Sequence, residues 1–191
     1  MLEESKEVIG GCIMEKFKAI QLIEQEFVEK GLYFQVEDYE DIQEIIVGFP
    51  IDSGPNTLIH FISRGDDNAV AVRIFGIVNN IPEEKIVRVL EACNILNLKW
   101  PALKFCLDID FDVNVEYDFP LETSDESVGP VAFETLMKMH VIKDDYGVFM
   151  EALYTDNYLW NWLDRIELNL ENSDMMEHRR SPRERKGSFL Q

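Results

Sequence analysis

Three aspartates at alternating positions have the spacing that most resembles a metal site in this chain. Asp108, Asp110 and Asp112 begin as a calcium-binding loop of the EF-hand type begins. That loop also requires a glycine at its sixth position and a glutamate at its twelfth, which here are Val113 and Phe119. The sequence therefore predicts a solvated hairpin tip, and we expect no metal and no other cofactor.

The histidines and cysteines form no recognisable catalytic arrangement along the chain. No serine, cysteine or paired carboxylate accompanies His60, His140 or His178 in a catalytic pattern. Three scattered cysteines indicate neither a disulfide framework nor a zinc site, and they favour a reducing cytosol. We therefore expect a protein that is not an enzyme. The alternative left open is an enzyme whose site assembles in three dimensions and acts on a cationic small molecule.

The charge balance limits the classes of partner. The chain carries 37 acidic and 18 basic residues, for a formal net charge of -19. Nucleic-acid phosphates and anionic lipids repel such a surface, so we expect no nucleic-acid partner and no membrane partner. No apolar run approaches the roughly 20 residues of a membrane-spanning helix, and the expected location is the cytoplasm.

Hydrophobic periodicity predicts the elements that position these residues. Apolar residues at three- and four-residue spacing predict helices over residues 12–30, 83–96, 131–141 and 146–153, the last continuing its predecessor after a kink. Apolar and alternating runs predict strands over residues 32–37, 42–49, 56–63, 69–75, 103–109 and 112–119. Short turn-rich linkers favour antiparallel neighbours. The predicted fold is α+β, an antiparallel sheet with helices packed on it in the order α-β-β-β-β-α-β-β-α, with residues 69–75 central in the sheet.

Two asparagines near the end of the middle helix, Asn94 and Asn97, are interpreted as structural caps. Asparagine side chains can satisfy backbone groups left unpaired where a helix ends and a hairpin begins. Asn97 is the expected C-terminal cap of the helix. The alternative interpretation is a pair of ligand-binding amides.

The C-terminal part of the chain combines aromatic and basic residues. A last helix is predicted over residues 158–170 and carries Tyr158, Trp160 and Trp162. These aromatic residues either pack back on the domain or contact a protein partner or a second copy, because Trp and Tyr are favoured interface anchors. Residues 178–191 hold five Lys or Arg and one Glu, which is a basic composition without a core. The predicted organisation is a domain over residues 1–155, a helical extension over 156–171 and a disordered basic tail over 172–191.

A resemblance to a known family covers roughly residues 12–155. It is carried by Val72-Arg73-Ile74-Phe75-Gly76, by Asn94-x-x-Asn97, and by the hairpin Lys104-Phe105-Cys106-Leu107 with Val113-Asn114-Val115-Glu116. In these segments the chain resembles the YbjN family of bacterial proteins, described as sensory transduction regulators. That family is similar in fold to the type III secretion chaperones, small acidic α+β proteins that usually dimerise and hold partner polypeptides.

The resemblance implies a regulatory or chaperone-like protein-interaction domain that holds a partner or client polypeptide on an apolar surface, with a homodimer as an implied form. A purely structural subunit with an obligate symmetric interface is a further alternative. The chain departs from the family pattern at residues 108–112, where the hairpin turn lacks the expected glycine. It also extends past the shared core, in the Trp-containing segment and the basic tail.

Overall fold

The computed structural model describes residues 17–49, 56–65, 69–121, 125–140 and 145–155. Those residues form four helices and six strands. In chain order they are α1 (Lys18–Glu29), β1 (Gln35–Asp38), β2 (Ile42–Phe49), β3 (Thr57–Arg64), β4 (Ala69–Val78), α2 (Ile86–Lys99), β5 (Lys104–Leu107), β6 (Val113–Pro120), α3 (Val128–His140) and α4 (Tyr146–Tyr154).

The six strands form one antiparallel sheet in the order β1-β2-β3-β4-β6-β5. The predicted α+β class and the meander of the first four strands are confirmed. The prediction that residues 69–75 are central is confirmed as well, since β4 lies between β3 and β6. Its apolar composition suits a strand that has neighbours on both sides.

One face of the sheet packs against the helices, and we call it the covered face. Most strand residues on that face are apolar and alternate with residues of the opposite face, as the two-residue period of a strand requires, although the buried polar residues Gln43, Thr57 and Ser63 lie there too. The helix α1 contributes Ile20, Ile23 and Phe27 at three- and four-residue spacing, all fully buried. The Phe27 ring meets the Phe61 ring of β3 edge-on, with centroids 5.3 Å apart. This layer between helices and sheet is the hydrophobic core.

The helices pair in two sets over the covered face. The helix α1 lies against α3, while α2 lies against β5 and α4. Gly129 permits the first contact, because a Cβ there would lie 2.7 Å from the Cβ of Glu26 and 3.0 Å from the carbonyl oxygen of Leu22. The helix α4 packs against α2, whereas α3 packs against α1, so it does not simply extend α3 after a kink.

Several element boundaries differ from the sequence prediction. The first strand begins at Gln35 and not at residue 32, because Gly31 has φ +69° and the N–H of Leu32 still bonds the carbonyl of Phe27. The helix α3 begins at Val128 and contains Pro130 in its first turn, where the missing N–H has no helical partner to lose. Residues 12–16 of the first predicted helix lie outside the described residues.

A bulge near the end of β4 shapes the sheet where the candidate site lies. The pairing with β6 shifts between Ile74 and Val78, and Gly76 has φ +58°. A Cβ at Gly76 would lie 2.0 Å from the side-chain oxygen of Asn79, so only glycine fits there without rearrangement. The N–H of Gly76 donates to the side-chain oxygen of Asn114 at 2.8 Å, which holds the bulge against β6.

Candidate functional site

The face of the sheet opposite the core is not covered by any helix that the structure describes, and we call it the open face. The strand register aligns its side chains in two rows across the sheet. One row consists of Gln35, Ile46, His60, Arg73, Glu116 and Lys104, and the next of Glu37, Glu44, Ile62, Ala71 and Asp118.

Charged and apolar side chains are mixed on the open face. Ile46 and Ile62 are 9% and 5% exposed, although they lie outside the core cluster on the covered face. Part of the open face is therefore buried as well. Ion pairs form beside these two residues along and between the rows, from Arg73 to Asp118 at 2.5 Å and from Lys104 to Glu116 at 3.3 Å.

Two hollows lie at the end of the open face where β2 ends and β3 begins, and Leu58 lines both of them. The first, of about 260 Å³, is also lined by His60, Phe75 and Gly76. The second, of about 380 Å³, has Tyr33, Phe34, Gln35, Ile46 and Gly48 in its wall. Leu58 is 49% exposed, Phe75 55% and Tyr33 96%. We call this shallow apolar region the Leu58 groove.

His60 is the histidine that contributes to the groove. Its Nδ1 lies 2.9 Å from a carboxylate oxygen of Glu44, and its ring meets Phe75 edge-on at 5.2 Å. Sequence reasoning missed this pair, because Glu44 and His60 lie sixteen residues apart and come together through the pairing of β2 with β3. Only the exact register between β2 and β3 could have revealed the pair from the sequence. The side chain of His140, and all of His178, lie outside the described residues.

The two described cysteines are poor nucleophiles. Burial raises the pKa of the Cys93 thiol to about 12. Burial also raises the pKa of Cys106, and the nearby carboxylate of Glu116 adds to that effect. Because both pKa values are raised, both thiols are protonated at neutral pH. Only the thiolate attacks carbon or binds metal strongly, so both groups are weakly reactive. Cys12 lies outside the described residues.

The aspartates of the β5–β6 turn build the turn itself. One carboxylate oxygen of Asp108 accepts the N–H groups of Asp110 and Asp112 at 3.0 Å, and the other accepts the amide of Asn114 at 2.8 Å. The bond from the backbone of Asp112 is the main cause that lowers the pKa of Asp108. Phe111 has φ +62°, so it occupies the left-handed position for which a glycine was expected.

The aspartates of this turn do not form a metal site, and neither do other side chains in the part of the chain that the structure describes. There, no three His, Cys, Asp or Glu side chains lie close enough together to hold a metal ion.

None of the helices among the described residues is both long and apolar enough to cross a membrane.

Asn97 is not the C-terminal cap of α2, although its side chain does satisfy backbone groups where the following hairpin begins, as the sequence interpretation proposed. The helix continues to Lys99 and its C-cap residue is Trp100, whose N–H bonds the carbonyl of Leu96. The Asn97 side chain instead accepts the N–H of Phe105 at 2.7 Å and donates to the carbonyl of Phe105 at 3.1 Å. It therefore satisfies the backbone of the following hairpin. Asn94 lies in the middle of α2 and is exposed.

A second apolar surface lies on the solvent side of α2, and we call it the outer face of α2. Val87, Leu90 and Leu98 are 67%, 47% and 70% exposed, and Asn94 lies between them. Their spacing of three, four and four residues places all four on one side of the helix. An exposed apolar stripe on a helix is a typical contact surface.

The aromatic residues predicted to contact a partner, Tyr158, Trp160 and Trp162, lie outside the described residues. Their role stays a prediction, and so do the domain boundaries proposed after residues 155 and 171.

Comparison with known proteins connects these surfaces to a family. No curated protein matches the chain. The model of the YbjN family, described as "Putative bacterial sensory transduction regulator", matches residues 20–138. That description names a regulatory role and no enzymatic reaction. The match extends from α1 into α3, so it includes all six strands, the Leu58 groove and the outer face of α2. Because it spans more than half of the chain, the protein belongs to the YbjN family.

Proposed function

We propose that the protein is a non-enzymatic, cytoplasmic interaction domain with a regulatory or chaperone-like role, which holds an apolar segment of a partner polypeptide in the Leu58 groove. The observation that carries the proposal is that Leu58 and Phe75 remain half exposed, beside two hollows, on the face that no described helix covers. Membership of a family described as regulatory supports it.

The groove supplies only part of the binding free energy. Burying a whole Leu or Phe side chain contributes about 1.5–3 kcal/mol, and roughly half of each side chain here is already buried. Leu58 and Phe75 thus contribute about 1 kcal/mol each. The partner must add apolar side chains of its own that fill the two hollows. We therefore expect a short segment with large aliphatic or aromatic residues.

The net charge of the protein determines which charged residues we expect in the partner on either side of that segment. The net charge of -19 attracts a partner rich in Lys or Arg and repels an acidic one. The two cations of the nearest row, Arg73 and Lys104, are paired with Asp118 and Glu116, so they do not offset this field locally. The proposed occupant is an apolar segment flanked by basic residues.

A homodimer belongs to the proposal only through the resemblance to chaperones that usually dimerise. Light scattering of the full chain at micromolar concentration tests it.

The groove is tested with a fluorescent peptide that has a core of alternating leucine and phenylalanine and two lysines at each end. Binding to the full chain is followed by fluorescence anisotropy. We expect Leu58→Asp and Phe75→Asp each to weaken binding about tenfold, because a charge in the groove must be desolvated. The matched control, Val28→Asp, changes a residue that is 63% exposed on α1 and should bind as the unmodified chain does.

A second peptide with aspartates in place of the lysines tests the charge argument. It should bind more weakly at low salt, and the difference should shrink as salt screens the field. Unchanged binding by both groove variants would refute the groove as the site. Equal binding of the two peptides would refute the expected chemistry of the partner.

A further inference from the structure

The sheet has two edge strands, β1 and β5. The backbone N–H and carbonyl groups of an edge strand point alternately toward its one neighbour and away from the sheet. The groups that point away can pair with another extended chain, unless a side chain or another element of the fold covers them. The two edges of this sheet differ in that respect.

The edge at β5 is partly closed by α2, which lies against that strand. The Asn97 side chain accepts the N–H of Phe105 at 2.7 Å and donates to the carbonyl of Phe105 at 3.1 Å. Both backbone groups that Phe105 turns away from the sheet therefore have partners already. A strand that added to β5 would first have to displace this amide.

The edge at β1 is open among the residues that the structure describes. The N–H of Tyr39 bonds a carbonyl of β2, and the same register continues along β1. Because the bonded residues alternate, Gln35 and Glu37 also bond β2, whereas Val36 and Asp38 turn their N–H and carbonyl groups away from the sheet. None of the described residues forms a hydrogen bond with those groups.

Exposed aromatic side chains flank β1 on both sides along the chain. Tyr33 is 96% exposed and borders the second hollow of the Leu58 groove together with Gln35. Tyr39 is 50% exposed and donates its hydroxyl group to the carboxylate of Glu37. Aromatic side chains stabilise cross-strand pairs. A strand along β1 would therefore contact both tyrosines and place alternate side chains beside the hollow.

The charge of this edge favours one kind of added strand. Glu37 and Asp38 lie in β1, and Glu40 and Asp41 follow it in the turn to β2. Two copies of β1 paired edge to edge would bring these carboxylates together, and like charges on neighbouring strands are destabilising. The same carboxylates attract a strand that carries lysine or arginine. A second copy is thus disfavoured and a basic extended segment is favoured.

We propose that the partner segment binds as a seventh strand, paired with the backbone of Val36 and Asp38, with alternate side chains directed to the Leu58 groove. This inference rests on the proposed function, because the segment that fills the groove is the one that pairs with β1. In such strand addition, main-chain hydrogen bonds supply affinity and alternate side chains supply specificity. The expected orientation is antiparallel, which is the slightly more stable pairing and the one found throughout this sheet.

Amide hydrogen exchange in the full chain, measured by NMR with and without the lysine-flanked peptide, tests the pairing directly. In the free chain the amides of Val36 and Asp38 should exchange fast, and saturating peptide should slow both about tenfold or more. The amide of Leu107, on the other edge strand, should not change. Slow exchange at Val36 and Asp38 in the free chain would show that a second copy or another segment of the chain occupies the edge, and would overturn the proposal.

A matched pair of variants at Val36 gives a second measurement. Val36→Pro removes the N–H that points away from the sheet and keeps the bonds to β2, since proline is tolerated on an edge strand where the N–H faces solvent. It should weaken peptide binding about tenfold in fluorescence anisotropy. Val36→Ala keeps the N–H and should bind the peptide as the unmodified chain does. Slow exchange of the Glu37 amide in both variants verifies that β1 stays paired with β2.

Leu58→Asp separates this inference from the proposed function. If Leu58→Asp weakens binding but the peptide leaves the Val36 and Asp38 amides unprotected, or if Val36→Pro binds as well as Val36→Ala, the strand addition is wrong and the groove remains. If both amides become protected but Leu58→Asp binds the peptide unchanged, the groove is wrong and the strand addition stands. No measurable binding of the peptide would overturn both.

Discussion

Apolar side chains lie on both faces of the sheet, but the helices that the structure describes cover one face and leave the other open. On the covered face, Phe61 and Val72 have no solvent exposure, because α1 and the neighbouring helices lie over that side of the sheet. On the open face, Ile46 and Ile62 are buried although no helix that the structure describes covers them, and Phe75 remains 55% exposed. Strand alternation is present on both faces, so it is the helices that make one of them a core.

The difference separates residues that hold the fold from residues available for binding. A buried side chain contributes its full transfer free energy to folding, whereas a half-exposed one retains part of that energy for a partner. The same contrast applies to α2, where Asn97 faces inward and Asn94 outward. Substitutions matched across this division measure how sharp it is.

The largest expected effect is at the centre of the covered face. Phe61→Ala should lower the free energy of unfolding by about 3–5 kcal/mol, because it leaves a cavity against Phe27. Phe75→Ala on the open face should lower it by less than about 1 kcal/mol, since half of the ring is already in water. Urea denaturation followed by circular dichroism measures both. Similar losses for the two would contradict the division into core and binding face.

The second comparison concerns two carboxylates, each 2.5 Å from a cation. Asp145 is 1% exposed and binds Lys99 and Trp100, whereas Asp118 is 63% exposed and binds Arg73. We expect Asp145→Ala to cost about 2–3 kcal/mol, because it removes a buried charged acceptor and with it the hydrogen bonds to Lys99 and Trp100. Asp118→Ala should cost less than about 1 kcal/mol. Thermal unfolding of both variants at two salt concentrations tests this comparison. The effect of Asp118→Ala should depend strongly on salt, and an equally strong dependence for Asp145→Ala would contradict the prediction.

The third comparison uses the two asparagines of α2. Asn97→Ala should destabilise the protein by about 1–3 kcal/mol, because the N–H and carbonyl of Phe105 both lose their partner. Asn94→Ala should be neutral or slightly stabilising, since alanine has the higher helix propensity. Amide hydrogen exchange at Phe105 provides the direct measurement. Protection that survives in the Asn97 variant would show that the hairpin does not depend on this bond.

The smallest effect is expected in the β5–β6 turn, which belongs to neither face. Phe111→Gly and Phe111→Ala both remove the ring, but glycine adopts φ +62° without a steric cost. The glycine variant should therefore be more stable than the alanine variant by about 1 kcal/mol, the reverse of their order at ordinary positions. Chemical denaturation of the two variants measures this difference in stability. An alanine variant as stable as the glycine variant, or more stable, would argue against strain at Phe111.

Local patterns predicted most of the elements but fewer of their contacts. The bounds of β2 were predicted correctly, because Asp41 and Pro50 bracket a mainly apolar segment that contains the run Ile45-Ile46-Val47. The end of α2 was predicted too early, at residue 96 and not at Lys99. Asparagine is typical of a helix cap, but the Asn97 side chain instead binds the backbone of Phe105 in β5. The missing glycine of the hairpin turn was noticed in the sequence, although the left-handed conformation of Phe111 was not predicted.

The candidate site was less accessible to sequence reasoning than the fold. Leu58 and Phe75 come from different strands, and nothing in their neighbours along the chain distinguishes them from core residues. Which side of each strand faces the helices depends on how the helices pack, and that is a long-range property.

The amino-acid sequence alone was sufficient for the α+β class, the acidic net charge, the position of β4 in the sheet and the family, because periodicity, charge and sequence motifs are local or additive properties. The open face, the Glu44–His60 pair and the hairpin contact of Asn97 emerged only from the folded chain. Each of them joins residues distant in sequence, and contacts of that kind follow from strand register and helix packing.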